Sequence, residues 1–294
     1  ILCFALATFG AFPVAAQIAG AGSIQGLVAD PSGAAIPGAI LTATDVKRGV
    51  KIERQSTAAG LFNLSPLQPG EYTVTASVGG FETATQEHVV VDALQVVGLN
   101  LTLQVAGSVQ QVTVTAAAPQ LNTTDASLGQ TMRNETYTAL PLAMGNAPRD
   151  PTSFTQYMPG VTVNSSTGNT AGNVLGAQDH SQEVYVEGLA VTSPVAQGES
   201  RTLGLGVSVE AVEQFQMETA GTAAMYNGQG AANFVLKSGT NQFHGAVYEY
   251  FRNTRLDARS FFSAVRSVEH QNEFGYTLGG PIIRNRLFFF SNYD

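Results

Sequence analysis

Eight residues near the end of the chain limit its fold more than any other stretch: Asn272, Phe274, Tyr276 and Leu278 alternate with Glu273, Gly275, Thr277 and Gly279. Successive side chains of a strand point to opposite faces. One face here is therefore mostly aromatic and aliphatic, and the other is small, polar or charged. Upstream, Ala246-Val-Tyr-Glu-Tyr250 sets Ala246, Tyr248 and Tyr250 on one side and Glu249 on the other. A soluble sandwich also shows such alternation. A transmembrane barrel requires it, with aromatic residues near strand ends and polar residues inward. Its strands run ~9–11 residues, about the length of these runs. The closing stretch RLFFFSNYD then reads as a further membrane strand, with some of Phe288, Phe289 and Phe290 facing lipid or the aromatic belt.

Composition narrows the partners. The chain of 294 residues carries a net charge of −8 and holds only three lysines, Lys47, Lys51 and Lys237. A nucleic-acid binder needs a cationic face to displace counterions from phosphate, so the composition argues against nucleic acid as a partner. The arginines gather between Arg252 and Arg286, among Phe and Tyr, a mixture that suits single-stranded nucleic acid as well as a membrane interface, and composition alone does not choose.

The first residues, ILCFALATFGAFPVAAQ, form an apolar run ending in the small residues Val14-Ala15-Ala16. The run is shorter than the ~20 apolar residues of a transmembrane helix and is expected to be a signal peptide over residues 1–16. Cleavage after Ala16 would remove Cys3, the one cysteine, so neither a disulfide framework nor a thiolate metal site is expected. No later stretch is apolar enough to span a bilayer as a helix, leaving an exported soluble protein or a β-barrel.

From Ser23 to Val105 the period is two, broken by turn residues. The loop DPSGAAIPG follows the first strand, and Ala39–Asp45 and Val50–Thr57 read as the next two. In Tyr72–Val78 the residues Tyr72, Val74, Ala76 and Val78 share one face, and the pattern recurs at Val97, Leu99, Leu101 and Leu103. Short alternating strands with Gly/Pro turns predict a small antiparallel sandwich over 23–105. GLVADPSGAAIPGAILTAT followed by TAAGLFNLSPLQPGEYTVTASVGGF resembles the carboxypeptidase regulatory-like domain. That resemblance implies a transthyretin/Ig-like β-sandwich, accessory and non-catalytic, as found at the N-terminus of many outer-membrane receptors.

The Ala/Thr-rich stretch 106–126 reads as a linker with one β-prone run, Val112–Thr115. The plain reading is a linker strand. The functional one resembles the TonB box, which pairs with a periplasmic TonB-type energy-coupling protein by adding a strand to its sheet. The residues in question are Gln111, Val112, Thr113, Val114 and Thr115, with Gln110 and Gln111 standing where the family usually has acidic residues.

Residues 127–240 mix element types. Asn134 is placed to cap a short helix, and Asp150-Pro151 opens a second through DPTSFTQYM, ended by Pro159-Gly160. A strand is expected over Glu183–Glu187 with a turn at Gly188. VEAVEQFQMETAGTAAMYNGQGAANFVLKSGTN and LPLAMGNAPRDPTSFTQYMPGV resemble the plug domain of TonB-dependent receptors. A family Asp-Gly is replaced here by Glu187-Gly188, and the loop's Tyr-Gly by Tyr226-Asn227-Gly228. HGAVYEYFRN and NEFGYTLGGPIIRNRLFFF resemble the first barrel strands of the Oar-like branch of that family.

Catalytic signals are lacking. His88, His180, His244 and His270 are scattered without metal-ligand spacing, and Asp179-His180 with Glu183 reads as a solvated loop. No Gly-x-Ser-x-Gly elbow occurs, and Gly204-Leu-Gly206 and Gly228-Gln-Gly230 lack phosphate-binding spacing. The expectation is a non-enzymatic, mainly β protein without cofactor. It comprises the sandwich, a mixed α/β plug over 127–240, and the first strands of an incomplete transmembrane β-barrel over 241–294. The resemblance implies the N-terminal part of a TonB-dependent receptor for active uptake. The receptor would sit in outer-membrane lipid with the sandwich in the periplasm, and take a small extracellular ligand that the sequence does not identify. The rival is a secreted or surface carbohydrate-binding sandwich protein.

Overall fold

The computed structural model describes residues 20–106, 113–114, 128–137, 149, 151–164, 169–176, 183–191, 207–220, 230–259, 261–266, 268 and 270–294. The expected signal peptide at 1–16 lies outside them.

Alternation in the N-terminal stretch produces eight strands. They are β1 (Gly22–Ala29), β2 (Ile40–Asp45), β3 (Lys51–Gln55), β4 (Leu61–Leu67), β5 (Gly70–Ser77), β6 (Ala84–Val91), β7 (Val96–Gly98) and β8 (Leu101–Thr102). One sheet runs β4-β1-β7 with β8 also on β1; the other runs β3-β2-β5-β6 and continues to β9 (Thr113–Val114). The two inward faces supply one core, in which Ile24, Val28, Leu41, Leu64, Leu67 and Val74 are fully buried. The Asp30 carboxylate closes the DPSG loop by accepting from Ser32 N at 2.9 Å and Ala34 N at 2.9 Å, as an Asx turn does.

The expected antiparallel sandwich needs one correction. β7 and β8 run parallel to β1. A carbonyl of Leu99 passes directly over Gly26, where any Cβ would collide. The Asn100 side chain then accepts from Leu27 N at 3.0 Å, in place of a ladder bond. The residues Val97, Leu99, Leu101 and Leu103 are all buried, but the run is split into two short strands at that crossing.

The middle region contains β10 (Leu128–Arg133), helix α1 (Asn134–Tyr137), a 3-10 helix Pro151–Tyr157, β11 (Val161–Asn164) and β12 (Asn169–Val174). It continues with β13 (Glu183–Val186), β14 (Leu189–Ala190), a 3-10 turn Val209–Ala211, β15 (Val212–Ala220) and β16 (Ala231–Leu236). A sheet runs β10-β15-β16-β13-β14, with β11–β12 as a separate hairpin. Its core stacks Phe154 on Phe215 at 6.2 Å and Phe215 on Phe234 at 5.3 Å between ring centroids. Among the described residues this region is less helical than expected. The stretch opened by Pro151 winds as a 3-10 helix and stops at Gly160, whose φ is 82°. Thr152, Phe154 and Thr155 are weak helix formers, and their burial holds the segment against the sheet.

The last three strands, β17 (His244–Asn253), β18 (His270–Ile283) and β19 (Leu287–Tyr293), form an antiparallel meander. Burial along β18 is the reverse of that in the sandwich. Glu273, Gly275, Thr277 and Gly279 are buried, whereas Phe274, Tyr276 and Leu278 are exposed, Phe274 at 61%. β17 corrects one expectation: Tyr248 and Tyr250 lie on the sheltered face, while Val247 (89% exposed), Glu249 and Phe251 turn outward. The ring of Tyr248 covers Gly275, its register partner, and only a residue without Cβ leaves room for it. Of the three consecutive phenylalanines, Phe289 packs with Phe243 over Gly280, and Phe290 covers Gly279 on the opposite face.

Candidate functional site

Two places are candidates for a functional site: the seam between the middle region and the meander, and the Thr113–Val114 strand of the linker. The seam is organised by Arg149. Its Nε donates to Glu273 Oε1 at 2.7 Å and its backbone N to Glu273 Oε2 at 3.1 Å. Both terminal nitrogens lie 3.4 Å from Glu210 Oε1. Tyr250 caps the guanidinium, with its ring centroid 3.4 Å from Cζ, and donates its hydroxyl to Glu210 Oε1 at 2.7 Å. The side chains of Arg149, Glu210 and Glu273 are all nearly sealed from solvent.

Each partner is placed by local structure. Ser208 accepts from Glu210 N at 3.2 Å and caps the short Val209–Ala211 turn, which aims Glu210 at the seam. Glu273 sits on the sheltered face of β18 by strand alternation, and Tyr250 on that of β17. Burial opposes the Arg149 charge, but Glu273, Tyr250 and Glu210 outweigh it and hold the guanidinium pKa above its ordinary value. Two carboxylates around one cation leave the cluster formally negative, and hydrogen bonds take up the remainder. Burial also pushes the nearby Lys237 ammonium pKa down, against the pull of Glu210 and Glu213.

Sequence reasoning missed this seam. Arg149 comes from one segment, Glu210 from a second and Glu273 from a third, and the local context of Arg149 speaks only of a helix start at Asp150-Pro151. One signal was available: Glu273 is the single carboxylate on an otherwise small, neutral strand face, and a charge there needs a partner.

A second junction ties the sandwich to the strand ends. Asn241, just before β17, donates through its side chain to Arg48 O at 2.7 Å and to Asn285 Oδ1 at 2.7 Å, and accepts from Asn285 N at 2.9 Å. Arg48 is itself buried, with Nε 2.8 Å from Asp45 Oδ2 and a terminal nitrogen 3.3 Å from Ser238 Oγ. The sandwich therefore sits at the end of the meander that carries the tight Arg284–Arg286 turn. The opposite end carries the long 254–269 connection. Outer-membrane barrels have short turns on the periplasmic side and long loops outside, so in a barrel of that kind the end that carries the sandwich is the periplasmic one. Arg133 adds a further tie to the sandwich through Asp92 at 2.9 and 3.0 Å.

Of the five linker residues singled out by sequence, Thr113 and Val114 form β9, parallel to β6 opposite Thr85 and Gln86. Gln111, Val112 and Thr115 lie outside the described residues, as do Asp179, His180 and the Tyr226–Gly228 loop. Glu187-Gly188 forms the expected turn, with φ of 50° and 72°. Its carboxylate accepts from Leu236 N at 2.7 Å, and burial pushes the Glu187 pKa up. Among the described residues no group of three His, Cys, Asp or Glu is placed to hold a metal ion, and no helix is long and apolar enough to cross a membrane.

Residues 23–104 match the carboxypeptidase regulatory-like domain family, and residues 235–294 match an outer membrane beta barrel domain family. A TonB-dependent transporter, Oar, of Myxococcus xanthus is 24% identical over 250 residues, covering 80% of this chain and 23% of its own. The siderophore receptor PirA of Acinetobacter baumannii aligns in structure with a TM-score of 0.41 and 23% identity, over 56% of this chain and 24% of that one. The Bacillus anthracis TIE protein aligns with a TM-score of 0.25 and 16% identity, over 29% and 17%. The chain thus spans about a quarter of the length of the first two. By its domain matches and by its transporter relative, the chain is similar to TonB-dependent outer-membrane receptors, with a carboxypeptidase regulatory-like domain in the periplasm and barrel strands in the outer membrane.

Proposed function

We propose that this chain forms the periplasmic sandwich (23–105), coupling linker (106–126), plug (127–240) and first barrel strands (241–294) of a TonB-dependent receptor for active uptake, with residues 1–16 as its export signal. The observation that carries the proposal is the reversed burial of β18, whose small and polar face lies under Arg149, Tyr248 and Phe290 while Phe274, Tyr276 and Leu278 stay exposed. A water-soluble carbohydrate binder would bury that face instead, because contiguous apolar surface in water invites association. In lipid the same face is satisfied, and the strand edges close against further strands of a barrel.

In this reading a small ligand binds on the side of the long 254–269 loop. A TonB-type protein pulls from the periplasm on the segment Gln111–Thr115, and the pull shifts the plug relative to the barrel wall. The Arg149 cluster is then the charged seam that holds plug to wall. Its bonds are ionic and hydrogen-bonded, so water entering the seam can replace them as the plug moves. Deleting residues 109–116 in the intact protein is expected to abolish energised uptake while leaving ligand binding at the cell surface unchanged. Uptake at the normal rate in that deletion would sink the assignment.

A further inference from the structure

The middle region passes into the meander through residues 237–243, between the end of β16 at Leu236 and the start of β17 at His244. Movement of that region against the strands beside it must bend this connection. On the meander side the connection is closely fitted. Gly239 lies where a Cβ would collide with the carbonyl oxygens of Phe289 and Gly280, and Phe243 packs against Phe289. Lys237 N donates to Ala211 O at 2.8 Å, which ties its first residue to the Val209–Ala211 turn.

The sandwich holds the same connection from a second side. Its β2–β3 turn presents Lys47 O to Asn241 N at 3.2 Å and Arg48 O to the Asn241 side chain at 2.7 Å. Arg48 also reaches Ser238 Oγ at 3.3 Å. Gly49, with φ of 67°, lies against the Asn285 side chain, and a Cβ there would collide with it. The turn is stiff. Asp45 accepts from Lys47 N at 2.9 Å and from Arg48 N at 2.7 Å, and pairs with Arg48 Nε at 2.8 Å, both side chains being nearly sealed from solvent. A further contact lies on the middle region itself, where Asp92 pairs with Arg133 and Gly20 packs against Val235 of β16. One body therefore grips the connection, the sheet before it and the strand turn beyond it.

We infer that the sandwich is a releasable clamp on this connection: while the Asp45–Gly49 turn is seated on Asn241 and Asn285, β16 cannot swing away from β17. The inference rests on the reading of 127–240 as a plug beside a barrel wall, and adds that plug displacement requires the turn to leave its seat. The chemistry of the seat suits release. Its bonds to Asn241 are neutral, and water replaces such bonds at small net cost. The Arg48 charge is satisfied inside the sandwich by Asp45 and by Pro69 O at 3.0 Å, so lifting the turn strands no buried ion. The Arg149 seam has the opposite character, since parting it separates charges.

Amide hydrogen exchange of the intact protein in detergent tests the clamp, read by mass spectrometry over residues 231–243. Asn241→Ala removes the seat from below, and Gly49→Val drives a side chain into Asn285 from the sandwich side. Each is expected to speed exchange over 231–243 by about tenfold, while β5 of the sandwich exchanges as slowly as before. Unchanged exchange over 231–243 in Gly49→Val would overturn the inference, even if Asn241→Ala speeds it, because the Asn241–Asn285 pair would then hold the connection without the sandwich. Should the valine also speed exchange in β5, Gly49→Ala carries the smaller intrusion and the same two outcomes decide. Exchange needs neither a transported molecule nor a coupling protein. Normal uptake in the 109–116 deletion would therefore sink the coupling reading and leave the clamp standing, whereas unchanged exchange sinks the clamp alone.

Discussion

The sandwich and the C-terminal meander use the same two-residue period and bury opposite halves of it. In β5 the apolar Tyr72, Val74 and Ala76 are buried and Thr73, Thr75 and Ser77 are half-exposed. In β18 the small and polar Gly275, Thr277 and Gly279 are buried and Phe274, Tyr276 and Leu278 are exposed. Alternation therefore specifies a strand with two unlike faces, and the surrounding medium decides which face is sheltered. The sandwich obtains its stability from an oily interior. The meander takes its order from its neighbours on one side, through glycine contacts and the Arg149 cluster, and in the proposed receptor its other side meets lipid.

The strongest way to break this contrast is Arg149→Met. Removing one partner from a buried charged cluster leaves Glu210 and Glu273 uncompensated, and such losses run to about 3–5 kcal/mol. Urea unfolding of the intact protein in detergent should show that loss, with partial recovery when Glu210→Gln and Glu273→Gln are added. A change within the error of the measurement would mean that the seam is not a buried one.

Next in size is Leu41→Ala in the sandwich, where the side chain is fully buried. A Leu-to-Ala cavity typically costs about 2–5 kcal/mol. Because, among the described residues, the sandwich core draws on Ile24–Leu103 alone, the loss should appear in residues 20–106 expressed alone in water. No shift in the urea midpoint would show that this core is not what holds the sandwich together.

Phe274→Arg separates the two media. Arginine on a lipid-facing strand costs roughly 2–4 kcal/mol near the bilayer midplane, whereas an exposed residue in water tolerates the change. Folding into liposomes should be impaired. Equal stability in lipid would place Phe274 away from the bilayer.

The smallest effect is expected for Glu187→Gln, and it depends on pH. Burial raises the folded-state pKa of Glu187, so the ionised carboxylate costs stability. Below the unfolded carboxylate pKa both states are protonated and the variant gains nothing from removing the charge. The gain should emerge as pH rises through that value and be complete above the raised folded pKa, while the amide oxygen still accepts from Leu236 N. Thermal unfolding at acidic and neutral pH checks the sign; a gain confined to low pH would contradict it.

What could be read from sequence follows from how far apart the cooperating residues are. The strands around Tyr72–Val78 and Asn272–Gly279 were legible because each declares itself within eight residues. The parallel pairing of β7 and β8 was not, since it depends on Gly26 admitting the carbonyl of Leu99, which is far away in sequence. Alternation divided β17 correctly into two faces but could not say that Tyr248 and Tyr250 shelter, because their partner Arg149 lies about a hundred positions upstream. The β-prone character of Thr113-Val114 was visible, whereas its seat on β6 was not: an edge offers backbone groups to any strand, and side chains leave little trace of the choice.

The Arg149 cluster also orders events during assembly. Arg149 and Glu210 belong to the middle region, but Glu273 and Tyr250 arrive only with the strands that wrap it. Until then the guanidinium lacks its closest carboxylate and its aromatic lid, and stays hydrated. The cluster is therefore complete only once β17 and β18 have packed beside the middle region, so its closure depends on three segments meeting at one place.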